Sequence, residues 1–538
     1  MTTASPAAAR PDPGRGVAGA AVIMVVSIFA SRLLGLVRDA IISGKFGQGS
    51  ISDVYYAAFV VPDLLFFLIA GGALSSAFIP VFTEKITLGR EDEAWRVFSI
   101  VASVMLVVVT AFVVVGEALT APLVRLTSYG FTPAEVAATV PLTRIVLPAQ
   151  LCFFLGGLMM GAQQAKGRFL VPSLGPNLYN LGIIFGGLVL TAFVGVAGLC
   201  WGALLGAIVG NFALQGWALS RLGMRYRPTF NWRDPDAMRV WKLMLPVILG
   251  LALPQVSILF NRIFATSLGP GPLSALTRAN MLMQAPLAIF GQALSVAIFP
   301  TLAAHAARRD WAQLRASVNT GIRFILFLTV PSSVLLILLA RPVIAVILQH
   351  GRFSSADTTM TATALTCYSL GIFAWSAQAV LARGFYAMQD TVTPVVIGTL
   401  VTLVFIPMNL LFMNTLGLGY AGLALATTVA ATLHMAAMLV VLRARLRGLG
   451  GRHLAMSVGR IVLAGAAAGV VCWAVREGAG SLLGPAHGVR EVKVHALLTL
   501  GAASAAGTMV YGLCALALGS GELRHALRLL ARRRARAA

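Results

Sequence analysis

The first long apolar stretch of the chain, residues 17–41, reads VAGAAVIMVVSIFASRLLGLVRDAI. It exceeds the roughly 20 residues that an α-helix needs to cross the hydrocarbon core of a bilayer. Its second half nevertheless carries three charged side chains, Arg32, Arg38 and Asp39. Charges on a membrane helix are costly and usually face a protein interior or a water-filled cavity. The stretch therefore predicts a membrane helix and supplies the first candidate functional residues.

The composition of the whole chain agrees with this interpretation. Of the 538 residues, 58% are hydrophobic and 11% are charged, and the mean hydropathy is +0.86. These values are typical of a polytopic membrane protein. We predict an all-α fold with about 14 transmembrane helices, near residues 17–41, 54–82, 97–120, 139–162, 172–195, 198–220, 240–266, 274–303, 320–347, 361–387, 392–415, 419–442, 455–475 and 494–518.

The sequence offers no sign of a cleaved leader, a metal or a cofactor. The N-terminal tail carries Arg10 and Arg15, but no small-residue cleavage pattern leads into a soluble domain, so we expect the first span to be retained. No Gly-rich loop with Lys and Ser/Thr for ATP phosphates is present. Five cysteines are scattered without paired or metal-ligand spacing, at Cys152, Cys200, Cys367, Cys472 and Cys514.

The net charge of +23 is distributed in a way that indicates membrane topology rather than nucleic-acid binding. If the N-terminus is cytoplasmic, the arginines and lysines fall mainly in the inner loops, and the outer loops are nearly bare. This asymmetry predicts cytoplasmic N- and C-termini and an even number of spans. We expect the basic C-terminal tail to lie against anionic lipid headgroups. Its arginines are Arg524, Arg528, Arg532, Arg533, Arg534 and Arg536.

An internal repeat divides the spans into two lobes. The segment ALSSAFIP at 73–80 recurs as ALSVAIFP at 293–300, and GAQQ at 161–164 lines up with GFYA at 384–387. Six spans separate the copies, so the halves are predicted to be parallel repeats around a central cavity, as in transporters. The predicted parts are an N-terminal tail at 1–16, an N-lobe at 17–222, a linker at 223–237, a C-lobe at 238–446, spans 13 and 14 at 447–518, and a basic tail at 519–538.

The strongest candidate residues lie in the first span. Arg32 and Asp39 are seven residues apart and share a helix face, while Arg38 points elsewhere. Arg32 lies deep in the span, where its side chain reaches the interface with difficulty, so we expect it to face a cavity and to bind an anion or pair with an acid. For Arg38 and Asp39 an interfacial cluster with Lys45 is an open alternative.

Further candidates stand near the outer ends of other spans. Asp53 opens the second span, Arg262 lies near the far end of the seventh, and Arg278 begins the eighth. At these positions each arginine could either anchor the fold or contact a substrate, and the sequence does not favour one role over the other.

The block from Ser31 to Ala40, followed by Asp53, Pro62 and the segment 73–80, resembles the MurJ (MviN) family, the lipid II flippases of bacterial peptidoglycan synthesis. The resemblance covers essentially the whole membrane region. It continues through Gly167-Arg168-Phe169, Leu282-Met283 with Pro286, His350-Gly351-Arg352-Phe353, Gly384-Phe385-Tyr386, Gln389-Asp390 and Thr393-Pro394.

The resemblance implies the fold of the multidrug/oligosaccharidyl-lipid/polysaccharide exporter superfamily, with 14 helices in two lobes. Spans 13 and 14 would then form a groove for the polyprenyl tail of the substrate. It also implies substrate-binding roles for Arg32, Arg38, Asp39 and Asp53, which match charged positions of the family.

Other charged positions of the family are missing here. Its arginine in span 2 aligns with Phe66 and the nearby glutamate with Gly71, and its arginine and glutamate in span 8 align with Met281 and Gln284. A diphosphate headgroup needs cationic partners in a site of low dielectric. We therefore expect a relocated set of charges in which Arg262 and Arg278 join the substrate-binding residues.

The resemblance implies a lipid II flippase of the bacterial inner membrane rather than an enzyme. It would move undecaprenyl-diphosphate-linked disaccharide-pentapeptide by alternating access, driven by an ion gradient or the membrane potential. Membrane lipids and cell-wall synthesis proteins are the other expected partners, and no nucleic acid is expected. Two alternatives stay open because of the missing arginines: a paralogous exporter of another polyprenyl-linked saccharide, and a non-transporting scaffold of the cell-wall machinery.

Overall fold

The computed structural model describes residues 13–69, 73–484 and 488–524. Every regular element within these ranges is a helix, which confirms the predicted all-α fold. A helix satisfies its backbone hydrogen bonds within one segment, as a bilayer without water requires. Most of the predicted N-terminal tail and residues 525–538 of the basic tail lie outside the described residues.

Twelve helices precede the Arg-rich linker within these ranges. They are α1 (Pro13–Phe46), α2 (Ser50–Ala58), α3 (Val60–Ile69), α4 (Ala73–Thr87), α5 (Glu91–Ala118), α6 (Thr120–Thr127), α7 (Pro133–Val146), α8 (Ala149–Ala165), α9 (Leu170–Phe185), α10 (Thr191–Val194), α11 (Ala197–Gly206) and α12 (Leu214–Arg221). Wider π-helical turns at Gly186–Leu190 and Ala207–Ala213 continue α9 and α11.

The helices after the linker include the longest of the described chain. They are α13 (Pro235–Thr266), α14 (Pro272–Pro286), α15 (Ala293–Ala307), α16 (Trp311–Leu348), α17 (Ser355–Ser369), α18 (Ile372–Ala387), α19 (Val392–Leu410), α20 (Gly419–Arg445), α21 (Gly451–Leu483) and α22 (Val489–Ala517). π-Helical turns at Leu287–Gln292 and Leu411–Thr415 continue α14 and α19.

Eleven helical segments of the described chain are long and apolar enough to cross a membrane. They correspond to predicted spans 3–6 and 8–14, which confirms a multi-pass membrane protein. The other three predicted spans, 17–41, 54–82 and 240–266, fall on α1, α2 to α4, and α13, which include residues or side chains outside the described set. The total of 14 spans therefore stays a prediction.

The chain forms two compact units. In the described chain, unit 1 comprises residues 13–42, 57–69, 73–127 and 132–252, and unit 2 comprises 43–56, 128–131, 253–484 and 488–524. The boundaries fall inside α1 after Ile42, inside α2 after Tyr56, in the chain after Thr127 and after Phe131, and inside α13 after Ala252. The predicted linker 223–237 belongs to unit 1, so the two units differ in extent from the two predicted lobes. The division into lobes therefore stays a prediction.

Each unit has its own apolar core. In unit 1, Phe78 and Phe82 of α4 pack with Trp95 and Phe98 of α5, and the ring centroids of Phe82 and Trp95 are 5.3 Å apart. In unit 2 the core lies among α16, α18, α20, α21 and α22. Aromatic side chains bury large areas and favour edge-to-face geometry, so these contacts stabilise each unit separately.

Glycines allow α9 and α11 of unit 1 to pack with their backbones in contact. A Cβ atom on Gly202 would lie 2.4 Å from the carbonyl oxygen of Gly182, and one on Gly182 would lie 2.5 Å from the Cα atom of Gly206. A Cβ atom on Gly186 would lie 2.3 Å from the carbonyl oxygen of Gly198. Small residues four apart share one helix face and are common where membrane helices pack closely. Any larger side chain at these positions would force the helices apart.

The linker is fastened to unit 1 by ion pairs. Lys85 Nζ lies 2.7 Å from Glu93 Oε2 and 2.9 Å from Asp236 Oδ2, and Arg96 Nη2 lies 3.3 Å from Asp234 Oδ2. The Glu93 carboxylate, followed by that of Asp236, raises the pKa of Lys85 above its usual value. These contacts hold the start of α13 against the ends of α4 and α5 and explain why the linker belongs to unit 1.

The predicted last pair of spans packs on α16. The helices α21 and α22 contact each other and both contact α16. Tyr511 Oη of α22 donates a hydrogen bond of 2.7 Å to the carbonyl oxygen of Phe327, and Gly465 of α21 faces Val330. The pair is therefore an integral part of the core of unit 2.

The chain after α22 is anchored by a buried carboxylate. Glu522 is 3% exposed and accepts hydrogen bonds from Arg323 Nε at 2.6 Å, Ser457 Oγ at 2.8 Å and Ser520 Oγ at 2.7 Å. Burial alone would raise the pKa of Glu522, but the hydrogen bonds from Ser520 and Ser457 and the Arg323 charge lower it below its usual value. The start of the basic tail is thus held against α16 and α21.

Candidate functional site

The charges of α1 form a paired group in unit 1. Arg38 Nε lies 3.1 Å from Oδ1 of Asp39, and Arg38 Nη1 donates a hydrogen bond of 3.0 Å to Oδ1 of Asn180 on α9. Asp39 is 2% exposed, and Arg38 is half-buried. Because a carboxylate and an amide both bind the guanidinium, the orientation of the Arg38 side chain is fixed. Helical spacing places Arg38 away from Asp39, yet the long arginine side chain reaches it.

A ladder of polar contacts between α1 and α9 supports this group. Asn180 Nδ2 donates to Ser31 Oγ and to the Ser31 carbonyl oxygen, both at 3.2 Å. One turn earlier, Asn177 Nδ2 donates to Ser27 Oγ at 2.6 Å, and Ser27 Oγ donates to the carbonyl oxygen of Ser173. Sequence reasoning missed Asn177 and Asn180. Their signal was two amides three residues apart in an otherwise apolar helix, a pattern that places both on one face.

Arg32 differs from Arg38 in its surroundings. Its side chain is exposed, and no described residue forms an ion pair or hydrogen bond with it. Asp39, which shares its helix face, is buried instead of exposed. In the described structure Arg32 is therefore an unpaired cation on a helix that the sequence predicts to span the membrane, which is the property expected of an anion-binding residue.

Asp53 lies in unit 2, where it binds the start of α14. Its Oδ2 accepts the backbone N–H of Gly271 at 2.5 Å, and its Oδ1 accepts the backbone N–H of Ser274 at 2.7 Å. Asp53 is 1% exposed. The carboxylate thus accepts hydrogen bonds from two N–H groups that have no partner within the helix. Its negative charge also interacts favourably with the positive, N-terminal end of the helix dipole.

Arg278 is fully buried close to Asp53. Its Nη2 donates to the carbonyl oxygen of Gly47 at 3.0 Å and to Ser52 Oγ at 3.3 Å, and its Nη1 lies 3.4 Å from Gln48 Oε1. The rings of Tyr56 and Phe353 flank the guanidinium, with its Cζ 5.6 and 5.4 Å from their centroids. We call these five residues the Arg278 cage. In this conformation both Nη atoms of Arg278 have partners in the cage, whereas its buried Nε has no hydrogen-bond partner among the described residues.

Arg262, the remaining predicted cation, lies half-buried on α13. Its neighbour Asn261 donates to Thr427 Oγ1 at 3.1 Å and to Tyr368 Oη at 3.3 Å. The structure thus brings Arg38 together with Asp39 in unit 1 and Asp53 together with Arg278 in unit 2. Substrate contact by any of the six predicted residues stays a prediction.

The positions of the missing family charges hold apolar or neutral side chains. Phe66 packs edge-to-face on Phe153, with ring centroids 6.0 Å apart, and Phe153 packs in the same manner on Tyr179 at 5.1 Å. Gln284 is exposed and donates to Asn280 Oδ1 at 2.6 Å. Gly71 lies outside the described residues. An aromatic cluster therefore stands in unit 1 at the position where the resemblance implied an arginine of the family.

Unit 2 contains two neighbouring apolar cavities. One of about 430 Å³ is lined by α16, α18, α20 and α21, and one of about 670 Å³ is lined by α20, α21 and the turn between them. Leu439, Leu454, Val458 and Val462 line both, so the two cavities adjoin along an apolar groove between α20 and α21. We call it the α20–α21 groove. Its walls suit a hydrocarbon chain.

Comparison with known proteins identifies the family. The family profile described as lipid II flippase MurJ matches residues 42–481, well over half of the chain. The chain belongs to the MurJ family. The probable lipid II flippase MurJ of Vibrio cholerae is 31% identical over 474 residues, which cover 84% of this chain and 88% of that protein. The lipid II flippase MurJ of Burkholderia cenocepacia is 30% identical over 433 residues, covering 79% of this chain and 83% of that protein.

Solved structures show the same fold. A lipid II flippase MurJ in an inward closed conformation superposes with a TM-score of 0.76 at 24% identity, covering 92% of this chain and 98% of that chain. An inward-facing multidrug transporter of the MATE family and MOP superfamily gives a TM-score of 0.65 at 16% identity, covering 78% and 95%. The predicted MurJ family, the exporter-superfamily fold and the class of transporter rather than enzyme are thereby confirmed.

Proposed function

We propose that this member of the MurJ family flips lipid II, undecaprenyl-diphosphate-linked disaccharide-pentapeptide, across the bacterial inner membrane by alternating access. Family membership and the transporter fold support the reaction. The orientation with cytoplasmic termini is proposed from the arginine distribution. Partnership with cell-wall synthesis proteins is proposed from the pathway that lipid II serves.

The arrangement of cations on α1 carries the proposal. Arg32 is exposed and has no partner among the described residues, whereas Arg38 is oriented by Asp39 and Asn180. A diphosphate is bound best by guanidinium groups, which donate paired hydrogen bonds to phosphate oxygens. We assign direct contact with the headgroup to Arg32, with Arg38, six residues later in α1, as a pre-oriented second donor and Asp39 as the residue that holds Arg38.

The two predicted site residues near the start of α14, Asp53 and Arg278, have a conditional role. Asp53 and Arg278 are both engaged with protein groups in this conformation. For Arg278 to touch a headgroup, the segment 47–56 must release it. The proposal therefore places Arg278 and Asp53 at a part of the transport cycle other than the one shown, and Arg262 with them as a further cation of unit 2.

The α20–α21 groove is the proposed site of the polyprenyl tail. Its walls are apolar, and α21, the first helix of the predicted pair 447–518, forms one of them. The second helix, α22, packs against the core behind α21, and none of its described residues lines either cavity. A tail held there stays in an apolar environment while the headgroup crosses the membrane, so the polyprenyl chain itself pays no desolvation cost.

The test is rescue of bacteria depleted of their own lipid II flippase. We expect the wild-type chain to restore growth and Arg32→Ala to fail at matched expression. Arg227→Ala is the matched control because Arg227 is an exposed arginine of unit 1 on the linker. Failure of a well-expressed, correctly inserted wild type, or full rescue by Arg32→Ala, would contradict the proposal.

One observation favours a second candidate, export of another polyprenyl-linked saccharide. Phe66 stands in an aromatic cluster where the family has an arginine, so unit 1 offers fewer cations to a headgroup. A headgroup with less negative charge than lipid II would need fewer. Binding of purified protein to lipid II and to an undecaprenyl-linked saccharide without the peptide distinguishes the two, because the second candidate predicts tighter binding of the saccharide.

A further inference from the structure

The α20–α21 groove ends at a single arginine. Arg443, in the last turn of α20, lines the larger cavity, and of the described residues lining either cavity it alone is charged. Its side chain is exposed, and no described residue forms an ion pair or hydrogen bond with it. An apolar groove closed by one unpaired cation is the complement of an amphiphile with an anionic head.

The neighbouring arginine in the last turn of α20 does have side-chain partners. Arg445 Nη1 lies 2.5 Å from Asp390 Oδ2, and Arg445 Nη2 donates to Thr393 Oγ1 at 2.9 Å. The protein thus neutralises one arginine of the last turn of α20 and leaves the other free. The free one is the one that lines the groove.

The first turn of α21, which lies beside Arg443, contains no competing carboxylate. A Cβ atom on Gly451 would lie 4.0 Å from Cζ of Arg443, so the guanidinium lies beside the start of α21. The first turn of α21 contains no acidic residue and includes Arg452, which is exposed. An anion bound to Arg443 would therefore meet no repulsion from a carboxylate of this turn.

We propose that Arg443 binds the diphosphate of a polyprenyl-diphosphate lipid whose single isoprenoid chain lies in the α20–α21 groove, before the headgroup is transported. The inference deepens the proposed function and rests on it. Membership of the MurJ family favours a polyprenyl-diphosphate lipid over a phospholipid as the occupant, and the charge of Arg443 complements the diphosphate. The arginine distribution places Arg443 on the predicted cytoplasmic side, where lipid II is made available to a flippase.

The test is a binding titration with the purified full-length chain in detergent micelles, read out by native mass spectrometry. The probes are undecaprenyl diphosphate, phosphatidylglycerol and inorganic diphosphate. The variants are Arg443→Gln, Arg443→Lys and the control Arg308→Gln. Arg308 is another exposed arginine of unit 2, has no described side-chain partner and lines neither cavity.

We expect Arg443→Gln to weaken binding of undecaprenyl diphosphate about five- to twenty-fold, as loss of one partly exposed charge-assisted contact implies. Arg443→Lys should keep most of the affinity, and Arg308→Gln should equal the wild type. Inorganic diphosphate should bind much more weakly, because it lacks the chain. Equal affinity of the wild type and Arg443→Gln, or equally tight binding of phosphatidylglycerol, would overturn the proposal.

Growth rescue separates this inference from the function on which it rests. Rescue by the wild type together with unaltered binding by Arg443→Gln would refute the role of Arg443 and leave lipid II flipping in place. Failed rescue by a correctly inserted wild type, with binding that still depends on Arg443, would refute lipid II flipping and support a polyprenyl-diphosphate site at the groove.

Discussion

Alanine at position 53 would remove the acceptor of two buried backbone N–H groups. The carboxylate of Asp53 accepts those of Gly271 and Ser274 at 2.5 and 2.7 Å and is 1% exposed, so water cannot replace it. An unsatisfied buried donor costs about 1–3 kcal/mol, which gives about 2–6 kcal/mol for the pair. We therefore expect Asp53→Ala to lower the free energy of unfolding by about 4 kcal/mol. Asp53→Asn keeps one acceptor oxygen and should lose about half as much.

The measurement is unfolding of the purified chain in mixed micelles by increasing sodium dodecyl sulfate, followed by circular dichroism. Asp357→Ala is the matched control, because Asp357 accepts the backbone N–H of Ser354 at 2.8 Å at the start of α17, where the contact is exposed. Loss of such an exposed cap costs about 0.5–2 kcal/mol. Equal losses for Asp53→Ala and Asp357→Ala would refute the argument from burial. Unchanged stability of Asp53→Ala with lost lipid binding would instead assign Asp53 to the substrate.

Three other substitutions test separate features of the fold. Gly202→Ala should cost about 1–3 kcal/mol of unfolding free energy, because its Cβ atom meets a backbone carbonyl, whereas Gly157→Ala, with open space around it, should be neutral or stabilising. Asn180→Leu removes the amide that orients the half-buried arginine of α1 and should cost about 1–3 kcal/mol while reducing growth rescue. Glu522→Gln breaks the buried pair with Arg323 and should cost about 3 kcal/mol at neutral pH. Because the folded pKa of Glu522 is lowered, its contribution is present above the usual value of 4.5 and is lost as the pH falls through the folded pKa, so the variant and the wild type should converge there. A pH-independent difference between them would contradict this.

Much of the fold could be predicted from the sequence, because insertion of a span depends on a local property. About 20 consecutive apolar residues bury their own surface in lipid and satisfy their own backbone, whatever the rest of the chain does. Eleven predicted spans accordingly match helices of the described chain. The breaks within helices, such as the π-helical turns at Leu287–Gln292 and Leu411–Thr415, were not predicted, since they depend on packing against neighbours.

The candidate site was predicted less completely. The charges of α1 were found from the sequence because a charge within an apolar span stands out against its neighbours. Asn180, which orients Arg38, was missed because an amide in a membrane helix usually makes a contact between helices, and the sequence does not show which amides orient a charge. The sequence also could not show that the arginines of α1 and the arginine of α14 differ in their surroundings. Exposure, which depends on the fold, decides whether a cation is free to bind a ligand.

The sequence by itself determined the class of the protein, its spans, its family and the presence of cations in the membrane region. The tertiary structure decided which of those cations are satisfied. Arg278 is enclosed by Gly47 and Ser52, more than 220 positions away in the chain, and Arg445 is neutralised by Asp390 while Arg443 is left free. Hydropathy is a sum over neighbours in sequence, whereas the pairing of a charge depends on atoms within about 4 Å in space, which only the folded chain brings together.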